Sequence, residues 1–467
     1  MTERPAGVEY TMTDDLSIEE LARRTREPVE RLRKWRSLGL IGTKGARGFA
    51  LEDVESVRLV KLLLRRGVGL EAIQQAAKAG QLGRRLAGYL EWMYPGEAAQ
   101  SYSLGEAAEI LGLSLDMLQR VLEVSGLGDE GETLDEGDVE ALRRVKVALE
   151  AGFPQEALLQ LLRVYADAVG RAAEAAQRLF HFYVHERLKG TGAATPEVLE
   201  RVDVIARQTQ PLVEPSILYF HRKAFLRALR EDIVTDLAEE AGVLEKGEVP
   251  GQLRAAIVFV DLCSFTPLAE AMGDVTAAQV LERFSDVARQ SAGRWGGRVV
   301  KQIGDAFMLA FPEARSAVAC ALEIEGRAAE EPQFLAVRSG IHWGLVLYRE
   351  GDYVGSNVNI ASRLATEAER HQVLVTAEVS REAHGLAEVD FVPLGKRQLK
   401  GVGDELELFE ARPRAVGPTE KAVDPVCGME LRPAEVTATL ALEGKERAFC
   451  SEECLRRFVA APERYST

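Results

Sequence analysis

No run of the chain approaches the roughly 18 consecutive apolar residues that a membrane-spanning helix needs. Met1 is followed by polar and charged residues, so no secretory leader is expected either, and the expected location is the cytoplasm. Cysteine is scarce. Of the five cysteines, three fall within the last 41 residues, which excludes a disulfide framework and suits a reduced compartment with one thiolate metal site. Excess positive charge is missing too: the formal net charge of -15 argues against wholesale nucleic-acid binding, although a local basic patch has to be judged from its distribution. Aromatics make up only 6%. What remains, 46% hydrophobic and 28% charged residues over 467 positions, is ordinary for globular domains and enough for three or more of them.

The richest stretch runs from Ala255 to Phe311. Six apolar residues, Ala255 to Val260, end in Asp261, which reads as a buried strand with a carboxylate at its tip. Further on, Val299–Ile303 and Ala306–Phe311 are strand-like runs separated by Gly304-Asp305, a two-residue hairpin signal. Two carboxylates converging at exposed strand ends suit a divalent cation that also grips phosphate oxygens.

Upstream, Ile18, Leu21 and Ala22, then Val29, Leu32 and Trp35, give two short amphipathic helices joined by a turn, at helix-turn-helix spacing. Glycines 42, 45 and 48 suggest a small wing, with Glu52 opening another helix. The LRKWRSLGL segment and the RGF after it make this part resemble MerR-type winged-helix regulators (9–98). Nine basic residues against two acidic ones lie between Arg23 and Arg47, so Arg31, Arg33 and Lys34 are candidate DNA phosphate contacts; the bland reading is a solvated charged face. A weak repeat follows (99–165) at a spacing of 85 to 86 residues, pairing Ser17 with Ser103, Leu32 with Leu118 and Asp53 with Asp138. Its wing position is acidic (Asp129, Glu130, Glu132), which repels phosphate, so packing or sensing is its expected role. Residues 166–250 read as a helical transducer region. There His181 and His185, at i and i+4, suit metal binding or titration near neutrality, or are plain surface histidines. The short turn Gly247–Gly251 leads into the next domain.

After a Pro-bearing linker (413–422), DPVCGM, AFCSEEC and a Phe458/Pro462/Tyr465 tail resemble a YHS domain, the small heavy-metal-associated module (423–467). Cys450 and Cys454 are expected one helical turn apart, with Cys427 approaching from a loop. Three soft ligands suggest Zn²⁺ or another soft metal. A small core of buried cysteines is the alternative.

Residues 251–412 resemble the catalytic domain of class III nucleotide cyclases, through FVDLCSFT, VVKQIGDAFMLAF, VRSGIHWG, GDYVGSNVNIASRLA and GKRQLKG in that order. The resemblance implies an α+β ferredoxin-like fold working as a homodimer with interfacial active sites. The expected whole is multidomain: an all-α regulatory half, this domain, and a small metal-binding C-terminal domain. By the same resemblance Asp261 and Asp305, with the carbonyl of Leu262, hold two Mg²⁺ or Mn²⁺ ions. Asn359 and Arg363, on one helix face, orient the ribose and stabilise charge on the α-phosphate. Lys301 and Asp352 occupy the purine-reading positions: a donor for adenine N1 and an acceptor for its N6 amine favour ATP over GTP. Lys400 is a weaker phosphate candidate. Ser264 stands where many relatives carry glycine. The expected reaction is ATP to 3′,5′-cyclic AMP and pyrophosphate; the rival expectation is a MerR-like transcription regulator whose cyclase-like domain dimerises or senses nucleotide.

Overall fold

The computed structural model describes residues 16–42, 47–78, 101–126, 133–192, 195–244, 246–414, 421–442 and 445–465. Two compact units divide between Glu231 and Asp232.

The first unit is helical and carries the repeat. Helices α1 (Ile18–Thr25), α2 (Val29–Ser37), α3 (Leu51–Arg65) and α4 (Leu70–Lys78) are followed by β1 (Tyr102–Ser103), α5 (Leu104–Leu111), α6 (Leu115–Ser125), β2 (Thr133–Leu134) and α7 (Glu136–Glu150). The two copies begin alike. Ser17 accepts a hydrogen bond from the Glu20 amide at 3.1 Å and Ser103 from the Glu106 amide at 3.2 Å, each satisfying a donor that the helix start leaves open. Leu32 and Leu118 are both fully buried. Asp53 and Asp138 each take up a backbone N–H three residues back, at 2.9 Å. The bridge Leu16–Phe49 in the first copy matches the β1–β2 pair in the second. Both wings fall partly outside the described residues.

Beyond the repeat lie α8 (Gln155–Phe180), a π-helical turn His181–Glu186, α9 (Thr195–Thr209) and α10 (Val213–Glu240). The histidine pair therefore sits on a π turn rather than on α-helix. Their rings are 5.1 Å apart, and both lean on Glu186, whose carboxylate also takes Lys189 at 2.9 Å.

The second unit contains an eight-stranded sheet of order β4-β5-β3-β6-β8-β10-β9, with β7 paired to β6. Its strands are β3 (Gln252–Leu262), β4 (Arg298–Ile303), β5 (Ala306–Phe311), β6 (Val337–Arg349), β7 (Asp352–Val354), β8 (Val373–Thr376), β9 (Val389–Arg397) and β10 (Leu406–Pro413). The helices are α11 (Phe265–Met272), α12 (Asp274–Arg294), α13 (Ala314–Glu330), α14 (Ser356–Glu367) and α15 (Ala377–Glu382). Strand β3, then α11 and α12, the β4–β5 hairpin, α13 and β6 form the βαββαβ order of a ferredoxin-like core, all antiparallel. The alternation of β3 explains the layering. Ala256, Val258, Val260 and Leu262 face α11, α12 and α13, whereas Ala255, Ile257 and Phe259 face α14. Asp261 continues the second set. Gly340 lets α14 approach this face, since a side chain there would meet the backbone of Ala361 and Ala365.

The C-terminal module has two small pairs, β11 (Ala422–Val423) with β12 (Glu430–Leu431) and β13 (Ala438–Leu442) with β14 (Lys445–Phe449), and helix α16 (Glu452–Ala460). Its Val426, Met429, Phe449 and Phe458 belong to the same apolar cluster as Leu268, Phe284 and Phe334 of the larger domain. A buried phenylalanine in such a core is worth about 3–5 kcal/mol against alanine.

Candidate active site and C-terminal cysteine cluster

The Gly304-Asp305 hairpin forms as its sequence predicts, with Gly304 at φ 63°. Pairing of β3 with β5 places Asp261 opposite Ala306, the residue after Asp305. Burial raises the Asp305 pKa above the usual carboxylate range, and the nearby charge of Asp261 raises it further. Two carboxylates that repel each other in a half-buried notch are the donor set a divalent cation relieves. Leu262 closes β3 with its side chain buried, leaving its backbone carbonyl as the further candidate ligand.

Arg338 is a residue the sequence reading missed. It lies directly across from Asp261 in the β3–β6 register and donates to Asp261 Oδ2 from Nε at 2.9 Å and from Nη2 at 2.6 Å. Its Nη1 reaches the carbonyl of Thr366 at the end of α14. Only strand pairing brings positions 261 and 338 together, so no local pattern marked it.

Lys301 and Asp352 form an ion pair with each other across β4 and β7. Lys301 is opposite Met308, and Met308 opposite Phe259, so Lys301 lies on the same sheet face as Asp261. Asp352 opens strand β7 rather than sitting in a turn, and also accepts from the amide of Tyr353 at 2.8 Å.

Asn359 and Arg363 share an exposed face of α14, and neither side chain has a partner among the described residues. The buried residues of that helix are Val358, Ile360, Ala361, Leu364 and Ala365, so the exposed pair points away from the sheet that carries Asp261. The start of α14 is pinned by His342. Its Nδ1 lies 3.0 Å from Thr376 Oγ1 and its Nε2 3.0 Å from Asn357 Oδ1, while Asn357 donates to the carbonyl of Leu345. Burial lowers the His342 pKa, so the ring stays neutral as a spacer. Lys400 is exposed in the turn beyond β9, and no partner among the described residues holds it.

Ser264, directly after the Asp261 strand, adopts φ 66°, a left-handed conformation that favours glycine. A side chain at Gly428 of the C-terminal module would collide with the Ser264 side chain, so glycine there allows the close approach. Arg370 bridges the two, reaching Ser264 Oγ at 3.3 Å, the Gly428 carbonyl at 3.1 Å and Glu430 at 3.3 Å. Next to it His371 lies between Glu325 and Glu430. Hydrogen bonds to these two carboxylates raise its pKa to about 9.

The three C-terminal cysteines do converge. Cys427 and Cys450 sulfurs are 3.6 Å apart, as are those of Cys450 and Cys454. The expected helical turn between the last two is corrected: Cys450 precedes the N-cap Ser451, and only Cys454 lies on α16. Asp424 is buried among them, and all four ligand atoms lie within 4.8 Å of one another. Its oxygens take the amides of Val426 and Cys450 at 2.8 Å and of Cys427 at 3.3 Å, which shapes the loop. Hydrogen bonds from Cys427 and Cys450 hold the Cys454 thiol below the usual thiol range. Sulfurs of a tetrahedral site with bonds of about 2.3 Å lie about 3.8 Å apart, so these spacings fit a metal.

On the basic helix, Arg31, Arg33 and Lys34 are exposed, but Arg31 is held by Glu27 at 2.9 Å. Gly45 of the expected wing lies outside the described residues.

An α+β domain of this topology, with two carboxylates at the end of its central strands, defines a class: the family model of the adenylate and guanylate cyclase catalytic domain matches residues 250–410. The models of an adenylate cyclase regulatory domain and of the YHS domain match 43–224 and 422–467. The regulatory-domain match replaces the MerR-type resemblance, and the DNA-binding expectation loses its support with it. An adenylate cyclase of Streptomyces coelicolor is 31% identical over 295 residues, covering 61% of this chain and 72% of that one. A pH-sensitive adenylate cyclase of Mycobacterium tuberculosis is 28% identical, covering 77% and 88%. Among solved structures, the adenylyl cyclase CyaB of P. aeruginosa is 22% identical, covering 36% of this chain and 98% of its own, with a TM-score of 0.31. The chain belongs to the class III adenylate cyclase family. No helix among the described residues is long and apolar enough to cross a membrane.

Proposed function

We propose that the protein converts ATP to 3′,5′-cyclic AMP and pyrophosphate at a site completed by a second copy of the chain, under control of its helical N-terminal half. The observation that carries this reading is a matched donor and acceptor, Lys301 and Asp352, paired with each other, with Lys301 on the sheet face of Asp261. On opening their mutual ion pair, Lys301 donates to adenine N1 and Asp352 accepts from the N6 amine. Guanine presents the reverse polarity, and the pair rejects it.

Asp261 and Asp305 hold the divalent ions, Mg²⁺ or Mn²⁺, which when bound lower the charge of the triphosphate and the pKa of the ribose 3′-hydroxyl. Arg338 supplies the counter-charge to Asp261 meanwhile. Arg363 stabilises negative charge building on the α-phosphate, and Asn359 orients the ribose. Because that pair faces away from its own sheet, its substrate lies on the metal-binding carboxylates of another chain, which supports a homodimer with two shared sites. Lys400 remains a candidate phosphate contact. The C-terminal cysteines form a soft-metal site.

Purified protein is incubated with ATP or GTP and Mg²⁺ or Mn²⁺, and the products are separated. Cyclic AMP is expected. Its absence with both ions, from folded dimer, would overturn the reading.

A further inference from the structure

The cysteine cluster does not end at the C-terminal module. Met272, the last residue of α11 in the cyclase domain, brings its Sδ to 3.9 Å from Cys454 Sγ. That distance matches the sulfur spacings inside the cluster, 3.6 Å for both cysteine pairs. Asp424, the other buried group at the site, already spends both oxygens on backbone amides. Among the described residues, Met272 brings a thioether to these sulfurs from outside the module. Carboxylate and imidazole ligands suit Zn²⁺, but a thioether beside thiolates suits a soft monovalent cation.

We propose that Met272 is a fourth sulfur ligand of the C-terminal site, which takes a cuprous-class ion and is shared between the module and the cyclase domain. The proposal rests on reading the three cysteines as a metal site and adds the ligand and the metal class. Its consequence is mechanical. Helix α11 starts directly after Ser264, its N-cap in the turn beyond Asp261, and ends at Met272. Loading the site ties the far end of that helix to the module, whose Gly428 already abuts the near end.

The test uses the full chain under anaerobic conditions. Cu(I) affinity is measured by competition with bicinchoninate, and Zn²⁺ affinity by competition with a chromophoric chelator, for the wild type, Met272→Leu and Cys450→Ser. Leucine preserves the volume of Met272, and thermal melting checks the fold. Met272→Leu is expected to weaken Cu(I) binding at least tenfold, to change Zn²⁺ binding less than threefold, and to remove one sulfur scatterer from the copper-edge absorption spectrum. Unchanged Cu(I) affinity and sulfur count in Met272→Leu overturn the proposal while leaving the three-cysteine site standing. If Cys450→Ser leaves both metal affinities unchanged, the underlying metal-site reading fails, and this proposal with it. Hydrogen exchange over 264–272 gives a further readout: protection rises on Cu(I) loading in the wild type and not in Met272→Leu.

Discussion

Arg338 holds Asp261 through two donors on a single carboxylate oxygen, Nε at 2.9 Å and Nη2 at 2.6 Å. A divalent ion arriving at Asp261 has to share that oxygen with the guanidinium. Partly exposed ion pairs contribute about 0–1 kcal/mol, so Arg338→Gln should tighten Mn²⁺ binding by up to about fivefold. Calorimetric titration of the ATP-free protein measures this; a weaker affinity in the variant would show that Arg338 shapes the site rather than competing for it.

Asp261→Asn should reduce turnover by more than about a hundredfold, the scale expected when charge stabilisation at a reacting phosphate is lost. Arg363→Ala should do the same from the other side of the site. Mixed dimers of the two variants contain one intact site, and their cyclic AMP production should recover toward half that of the wild type. A mixture that stays inactive, although heterodimers are present on native mass spectrometry, refutes the shared site.

Base choice rests on Lys301 and Asp352. Lys301→Glu replaces the donor by an acceptor and places two carboxylates side by side. The ratio of kcat/KM for ATP to that for GTP should fall at least tenfold, about 1.4 kcal/mol in transition-state discrimination. A ratio that does not move assigns the reading of the base to other residues.

The junction between the cyclase domain and the C-terminal module should weaken in alkali. Folding raises the His371 pKa from 6.5 to about 9 through hydrogen bonds to Glu325 and Glu430. A raised pKa means that the protonated ring stabilises the fold. That contribution is complete below about pH 6.5 and disappears as the pH rises through about 9. Melting temperature followed from pH 6 to 10 should show the decline, and His371→Gln should flatten it. Equal slopes in both proteins would count against the histidine.

Much of the site was legible because its signals are local. The apolar run into Asp261, the Gly304-Asp305 turn and the i, i+4 spacing of Asn359 and Arg363 each depend on neighbours in sequence. Arg338 and Met272 were not legible. The first meets Asp261 only through strand register, and the second meets Cys454 across 182 positions. The twin caps at Ser17 and Ser103 made the repeat visible, yet the same helix-turn-helix spacing pointed to a DNA-binding module. Helix spacing reports packing, and a regulatory domain packs its helices with the same periods.

Residues 449 to 465 have a further consequence, in the order in which the protein is made. Phe449 and Phe458 share a core with Leu268 and Phe284, and Arg464 reaches Glu270 across 194 positions. Until that distant segment leaves the ribosome, α11 has a bare apolar flank beside the Asp261 turn. Closing so long a loop is slow, and the exposed flank invites chaperones in the interval. A chain cut short before Phe449 would leave that flank of α11 uncovered.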